Sequence, residues 1–386
     1  MKGPLEGLLV TDLSRVLSGP WCTMTLGDLG AEVMKVEHPD GDETRGWGPP
    51  FVGEESAYFL STNRNKRSLR LDLGRADHLE VAYRLISRSD IVVENFRPGT
   101  AERLGLGEAR CRELAPDIIY ASISGFGSGS SRPGYDAIIQ AVGGLMSITG
   151  HPRTGPAKVG VAIADISAGL YTTIGVLAAL VARERTGVGQ RVDASLLGSQ
   201  IAWLANQASN TLNAGVVPGL MGTAHPSIVP YQAFEASDGA FMLAVANDAI
   251  WSRFVAALGS PDALGDARFA TNPGRVEARE ELVGILGGLF ASEPRTHWLS
   301  MLDAAEVPSG PINDLSEVFG SEEVAALQLV SQTPREDGTS VRSVSFPVHL
   351  SQTPASIRRP PPRLGEHDRE ILAWLGYSEQ EVKDLT

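Results

Sequence analysis

An α/β fold, with a mostly parallel sheet and a second, smaller α+β domain, is what this sequence predicts, on three observations. Short apolar runs alternate with helical stretches through the first third of the chain. A long apolar helix follows them, and the composition changes near residues 210–230. Strands that alternate with helices build βαβ units, whose crossovers leave neighbouring strands parallel.

Leu8-Leu9-Val10 is the first strand-like run, Pro20 to Gly30 has helical spacing, and Glu32 to Val36 reads as strand again. Ile91-Val92-Val93 and Ile118 to Ile123 are further strands, with a helical stretch over Asp77 to Ser87. Ala168 to Arg185 is the clearest helix, and its Arg-Glu-Arg end before Gly187 suits the negative pole of the helix dipole. The uncharged run Ile166 to Ala182 falls short of a membrane span and reads as a buried helix. Gly215, Pro218, Gly219, Gly222, Pro226 and Pro230 then mark a linker. Tyr231 to Phe234 and Ala240 to Val245 flank Ser237-Asp238-Gly239, a hairpin signal, and helical segments follow around 251–258, 276–290 and 295–304. A closing helix is expected near 367–375.

With 386 residues there is room for two domains. A formal charge of −13 argues against nucleic acid, which needs a broad basic face. A small polyanion remains possible wherever cations cluster locally. Cys22 and Cys111 are too few for a disulfide framework, so a reducing cytoplasm is the expected location. The opening residues 1–6 lack the apolar core of a secretory leader, and no membrane partner is expected. Neither the cysteines nor the seven histidines show metal-ligand spacing, so no metal is expected.

Asp165 stands where the long helix begins. It reads as a helix cap, or as a carboxylate kept ionised by the helix dipole and able to attack a thioester. In the second reading its small neighbours Ala164, Ser167, Ala168 and Gly169 let a substrate approach. Asp12 to Pro20 is a strand-to-helix turn that could hold an extended ligand at the sheet edge. Asn63-Arg64-Asn65-Lys66-Arg67 is a compact cationic cluster, and Glu94-Asn95-Phe96-Arg97-Pro98-Gly99 ends a strand, with Arg103 after it. Such cations suit a pyrophosphate, and Phe96 offers a face to an adenine or a pantetheine arm. Gly125-Phe126-Gly127-Ser128-Gly129 misses both the P-loop and GxGxxG patterns; a mobile loop over a site and a plain surface loop both stay open.

Together these segments resemble the class III CoA-transferases, the family of formyl-CoA and L-carnitine CoA-transferases. The matching pieces are Asp12 to Pro20, Leu29 to Glu37, Asn65 to Ser68, Val93 to Gly99, Asp165 with its helix, Thr186 to Asp193, His225 to Gln232, and Leu364 to His367 with Ile371 to Tyr377. The resemblance implies a Rossmann-like large domain from both chain ends, 1–205 and 330–386, and a small α+β domain over 226–320. Residues 206–225 and 321–329 would link them, and two chains would interlock as a homodimer. Acyl-CoA and a carboxylic acid are the implied substrates, with no cofactor beyond coenzyme A itself. Asp165 matches the catalytic aspartate. Val16, Ser18, His38, Lys66, Asn95, Phe96, Arg97, Arg103, Leu104 and Tyr135 match the CoA-binding positions, and Arg15 is a candidate acceptor contact. Leu17 stands where the formyl enzyme has Gln, and Gly222-Thr-Ala-His-Pro226 replaces its glycine run; both differences argue against oxalate and formate.

Three other readings compete. The α-methylacyl-CoA racemases resemble the chain around Asp165 but use His where Tyr135 stands, and an ordinary Tyr pKa of about 10 is high for acid–base work. A non-catalytic CoA-binding protein is a second, which the matching Asp165 disfavours. A nicotinamide oxidoreductase lacks its glycine fingerprint here.

Overall fold

The computed structural model describes residues 3–386; Met1 and Lys2, part of the opening segment read above for a leader, lie outside the described residues. Contacts divide the chain into two units. The first comprises the described residues through Leu145, Lys158–Val216 and Glu322–Thr386; the second comprises Met146–Ala157 and Val217–Ser321.

The first unit is built on β1 (Leu9–Asp12), β2 (Glu32–Glu37), β3 (Lys66–Arg70), β4 (Ile91–Glu94), β5 (Ile119–Ser124) and β6 (Arg191–Ser195). These six strands form one sheet in the order β6-β5-β4-β1-β2-β3, and every pairing is parallel. That order is the doubly wound one, whose direction of travel reverses between β1 and β4. Its main helices are α1 (Ser18–Asp28), α2 (Ala76–Ile86), α3 (Asp136–Val142), α4 (Ile163–Thr186) and α5 (Asp368–Trp374).

Strand alternation sorts the apolar side chains onto two faces. Val10, Val33, Ile91, Val93, Ile119 and Ala121 pack with Cys22 and Leu26 of α1 and with Val176 and Ala179 of α4. Leu9, Met34, Leu69, Val92 and Tyr120 face the other way, onto Val81 and Leu85 of α2 and onto Ile371 and Leu372 of α5. The C-terminal segment thus completes a core begun by the N-terminal one. It is pinned there by polar contacts: Asn65 Oδ1 accepts from the Arg358 N–H at 2.6 Å, and Arg70 pairs with Asp368 at 2.8 Å.

The second unit carries the expected hairpin, β7 (Tyr231–Ala236) and β8 (Gly239–Ala244), extended by β9 (Ser309–Pro311). Phe234, Phe241, Phe254, Phe290 and Trp298 form its aromatic core. Residues 146–157, assigned from sequence to the large domain, belong to this unit: the Gly222 N–H donates to Gly150 O at 2.8 Å, beside His151. The linker expected over 206–225 begins instead as a helix, Ala205–Ala214, and the return linker 321–329 holds another, Glu322–Ala326.

The cationic cluster 63–67 is a structural knot. Arg64 is buried against Asp28, donating from Nε at 3.0 Å, and Lys66 Nζ lies 3.0 Å from Asp12 Oδ2 with neither side chain exposed. The Lys66 ammonium also donates to Pro20 O and Asn63 Oδ1, both at 3.0 Å, so its hydrogens are used inside the protein. Lys66→Met should strand the buried Asp12 carboxylate and cost about 3–5 kcal/mol, read as a lowered urea midpoint. A loss of under about 1 kcal/mol would mean that water reaches Asp12 and that the pair is not structural.

Candidate active site

At the point where strand order reverses, the turns after β1 and β4 stand side by side, the place where open α/β sheets gather ligands. Asn95, just past β4, fastens them. Its Oδ1 accepts from the Arg15 N–H at 2.9 Å and its Nδ2 donates to Arg15 O at 2.7 Å. Below the turn, Asp12 accepts from the Ser14 N–H at 3.0 Å and from the Thr23 hydroxyl of α1 at 2.7 Å. Lys35 donates to Ser14 O and to Asp42 Oδ2, both at 2.9 Å, and Asp42 in turn accepts from the Val16 N–H at 3.2 Å. These bonds hold Val16 at φ +67°, a region that a β-branched residue avoids.

A cleft of about 290 Å³ opens over this turn, lined by Arg15, Val16, Ser18, Asn95, Phe96, Arg97, Tyr135 and Asp165. A second lobe of about 380 Å³ shares Arg15, Glu43 and Phe96 with it and reaches His38 and Leu104. The residues singled out from sequence therefore fall along these two lobes, with two exceptions. Lys66 is a correction: its enclosed ammonium leaves nothing to offer a ligand. Arg103 is exposed and donates to the Thr100 hydroxyl, outside the residues lining either lobe.

Asp165 lies in the first turn of α4 but does not cap it. Ala162 is the N-cap, and the Ala164 N–H is taken at 2.8 Å by Asp136 Oδ1, from the start of α3. The small neighbours serve packing, which corrects the expectation that they admit substrate. Ala164, Ser167, Ala168 and Gly169 are buried, and a Cβ on Gly169 would lie 2.6 Å from Ser18 O of α1. This close crossing brings the Ser18 hydroxyl to Asp165, one turn earlier on α4.

The helix dipole does not keep Asp165 acidic. Burial, reinforced by the nearby Asp136 charge and only partly opposed by the Ser18 hydroxyl, pushes its carboxyl up to about 7. A helix N-terminus contributes about 0.3–1 kcal/mol, under one pH unit, so desolvation wins. Asp136 is itself fixed by Gln140 Nε2 at 2.7 Å, and Gln140 Oε1 accepts from the Val159 N–H at 2.8 Å.

Sequence reasoning passed over Asp136, Glu43, Arg132 and Tyr58, whose types and spacing give no signal. Arg132 lines the cleft and lies over the Phe126 ring at 4.1 Å. Gly125 and Gly134 meet at the neck of that loop, where a Cβ on Gly134 would stand 2.3 Å from Gly125 Cα. Tyr58, edge-on to Trp47 at 5.0 Å, is pushed up to about 12 by burial and by Asp165, Asp136 and Asp42, so its hydroxyl stays protonated. Among the described residues no group of His, Cys, Asp and Glu is placed to hold a metal.

The chain matches the family model for CoA-transferase family III over residues 5–368. It belongs to CoA-transferase family III. It is 43% identical to succinyl-CoA:glutarate CoA-transferase of Mus musculus, over 99% of this chain and 89% of that one. It is 42% identical to succinate–glutarate CoA-transferase of Agrobacterium fabrum, over 97% and 96% of the two chains. A crystal structure of a CaiB/BaiF family protein from Brucella suis superimposes with a TM-score of 0.88 at 41% identity, covering 97% of this chain and all of that one. The protein is thus a class III CoA-transferase on the mixed α/β fold of that family.

In a CoA-transferase that used Asp165 as its nucleophile, the raised carboxyl would have a direct consequence, because only a carboxylate attacks. The acidic limb of kcat/KM for the acyl-CoA should be centred near pH 7, and Asp136→Asn should move it downward by removing a like charge. Stability runs the other way. An unfolded Asp ionises near 3.9, so the contribution of protonated Asp165 is complete below about pH 4 and is lost as pH rises toward about 7. A limb already complete at pH 5 would contradict the buried setting of this carboxyl.

Proposed function

We propose that this CoA-transferase moves CoA from succinyl-CoA to a short dicarboxylic acid, glutarate foremost, with Asp165 as the covalent carrier. The observation that carries the proposal is the placement of Asp165. It is a partly desolvated carboxylate with no cation of its own among the described residues, opening on a cleft at the topological switch point. The relatives named for succinyl-CoA and glutarate support the choice of donor and acceptor.

In the proposed sequence Asp165 attacks the succinyl thioester carbonyl. CoA thiolate leaves, and a succinyl–aspartyl anhydride remains. The thiolate then attacks the aspartyl carbonyl, releasing succinate and forming an aspartyl–CoA thioester. The acceptor carboxylate attacks that thioester, the thiolate leaves again, and its attack on the acceptor carbonyl of the new anhydride gives acceptor-CoA and free Asp165. Charge and protons balance throughout, and one hard exchange becomes several easier ones. The first-turn N–H groups of Ser18 and Gly19 have no carbonyl within α1 to bond, and they are our candidates for holding the oxyanions. Val16, Ser18, Asn95, Phe96, Arg97 and Tyr135 would line the pantetheine path, with His38 and Leu104 toward the nucleotide.

The homodimer is part of the same proposal. In α4, Val176, Ala179 and Leu180 are buried, while Tyr171, Ile174 and Val181 are exposed. A helix apolar on opposite sides calls for cover on both, and a second copy would supply it.

The test mixes the protein with succinyl-CoA and pooled carboxylic acids in deuterated water and reads CoA esters by mass spectrometry. Glutaryl-CoA should appear, and Asp165→Ala should bind CoA yet transfer nothing, a loss of at least about 10⁴-fold. Undiminished transfer by Asp165→Ala would sink the mechanism. Deuterium at the 2-position of an added 2-methylacyl-CoA, without a new ester, would instead mark a racemase.

A further inference from the structure

The wall shared by the two lobes of the cleft carries an ion pair that the proposed transfer does not use. Arg15 Nη1 donates to Glu43 Oε1 at 2.9 Å, and both side chains are 51% exposed. Both residues line both lobes. Their backbones are held fast, and their half-exposed side chains hold each other. Arg15 is clamped through its N–H and its carbonyl by Asn95. Glu43 opens a short 3₁₀ turn capped by Asp42, which is itself buried against Lys35.

An acceptor with two carboxylates brings a second negative charge into a cleft that already holds Glu43, and it needs a cation there. Arg15, Arg97 and Arg132 are the cations lining that lobe. Among the described residues only Arg15 of these already holds a carboxylate. It also stands three residues before Ser18, whose hydroxyl reaches Asp165. Its contact with Glu43 uses one N–H of a guanidinium fork built to take a carboxylate with two.

We infer that Glu43 is a built-in stand-in for the far carboxylate of a dicarboxylic acceptor, occupying Arg15 until the acceptor displaces it. This rests on the dicarboxylate reading above. The exchange is feasible because a half-exposed ion pair is weak, its loss amounting to a factor of about 2–5, whereas a bidentate pair with the substrate is stronger. Glu43 therefore sets a threshold: monocarboxylates cannot displace it to any advantage, and dicarboxylates can.

The test compares glutarate with pentanoate, the same chain without its second carboxylate, as acceptors from succinyl-CoA. Glu43→Gln should lower KM for glutarate about two- to five-fold with little change in kcat, because it frees Arg15 and removes a like charge. The glutarate-to-pentanoate ratio of kcat/KM should fall at least about 20-fold in Arg15→Gln and recover in part in Arg15→Lys, which keeps the charge but not the fork. A higher glutarate KM in Glu43→Gln, or equal shifts for the two acids in every variant, overturns the inference. Failure of the dicarboxylate reading shows separately, in the unmutated protein. Pentanoate used as readily as glutarate would overturn that reading, and the role of Arg15 with it.

Discussion

The buried pair of Asp12 and Lys66 is the contact on which the cleft depends. Asp12 ends β1, Lys66 opens β3, and the carboxylate between them also accepts from Ser14 and from Thr23 of α1. Burial by itself would raise Asp12, but the ammonium groups of Lys66 and Lys35 and its two hydroxyl partners hold it below the usual carboxylate range. Burial pushes Lys66 down to about 8, which still leaves it charged at neutral pH. One pair thus sets the pitch of α1, the path of the turn over residues 13–17 and the distance of that turn from β3. The tier above it, Lys35 with Asp42, holds Val16 in a conformation that Val would not choose. Strain of this kind persists only where several bonds over-determine it.

Such a network contributes less to stability than its charges suggest, because desolvation offsets much of the attraction. Its effect here is positional. The contrast between Asp12 and Asp165 makes the point: the same side chain is held acidic in one place and pushed up to about 7 in another. Asp12 has a buried cation and several donors. Asp165 has one hydroxyl and a neighbouring carboxylate. A group with every bond filled can only support, whereas one left short of partners can react. Environments that drive like groups apart in this way mark out the roles within an active site.

Much of this arrangement was legible in the sequence. Continuous apolar runs such as Ile91-Val92-Val93 are buried on both faces, as a covered parallel sheet requires, and the hairpin at Ser237-Asp238-Gly239 stands where its turn residues put it. Asp165 and the turns after β1 and β4 were legible as candidates because the segments that carry them match a known family in order; an Asp or a Gly-Pro at a helix start is by itself ordinary. The cationic cluster misled, since side-chain type does not say which way a strand turns. Lys66 and Arg64 face inward because Asp12 and Asp28 are there to meet them. The composition near 210–230 misled differently: glycines and prolines end a helix at Ala214 without removing it.

The sequence by itself determined the class of fold and the family, and it offered Asp165 as the candidate carboxylate, because periodicity, turn chemistry and motif order are local properties written in consecutive residues. Tertiary structure alone decided how that carboxylate behaves. Asp136 lies 29 positions from Asp165, Ser18 lies 147 positions away, and both reach it only because α1, α3 and α4 pack together. The same holds for Arg15 and Glu43, which are brought face to face by the Asn95 clamp and by the Lys35–Asp42 pair. Desolvation and charge–charge coupling act through space, and the distances that set them exist only once the chain has folded.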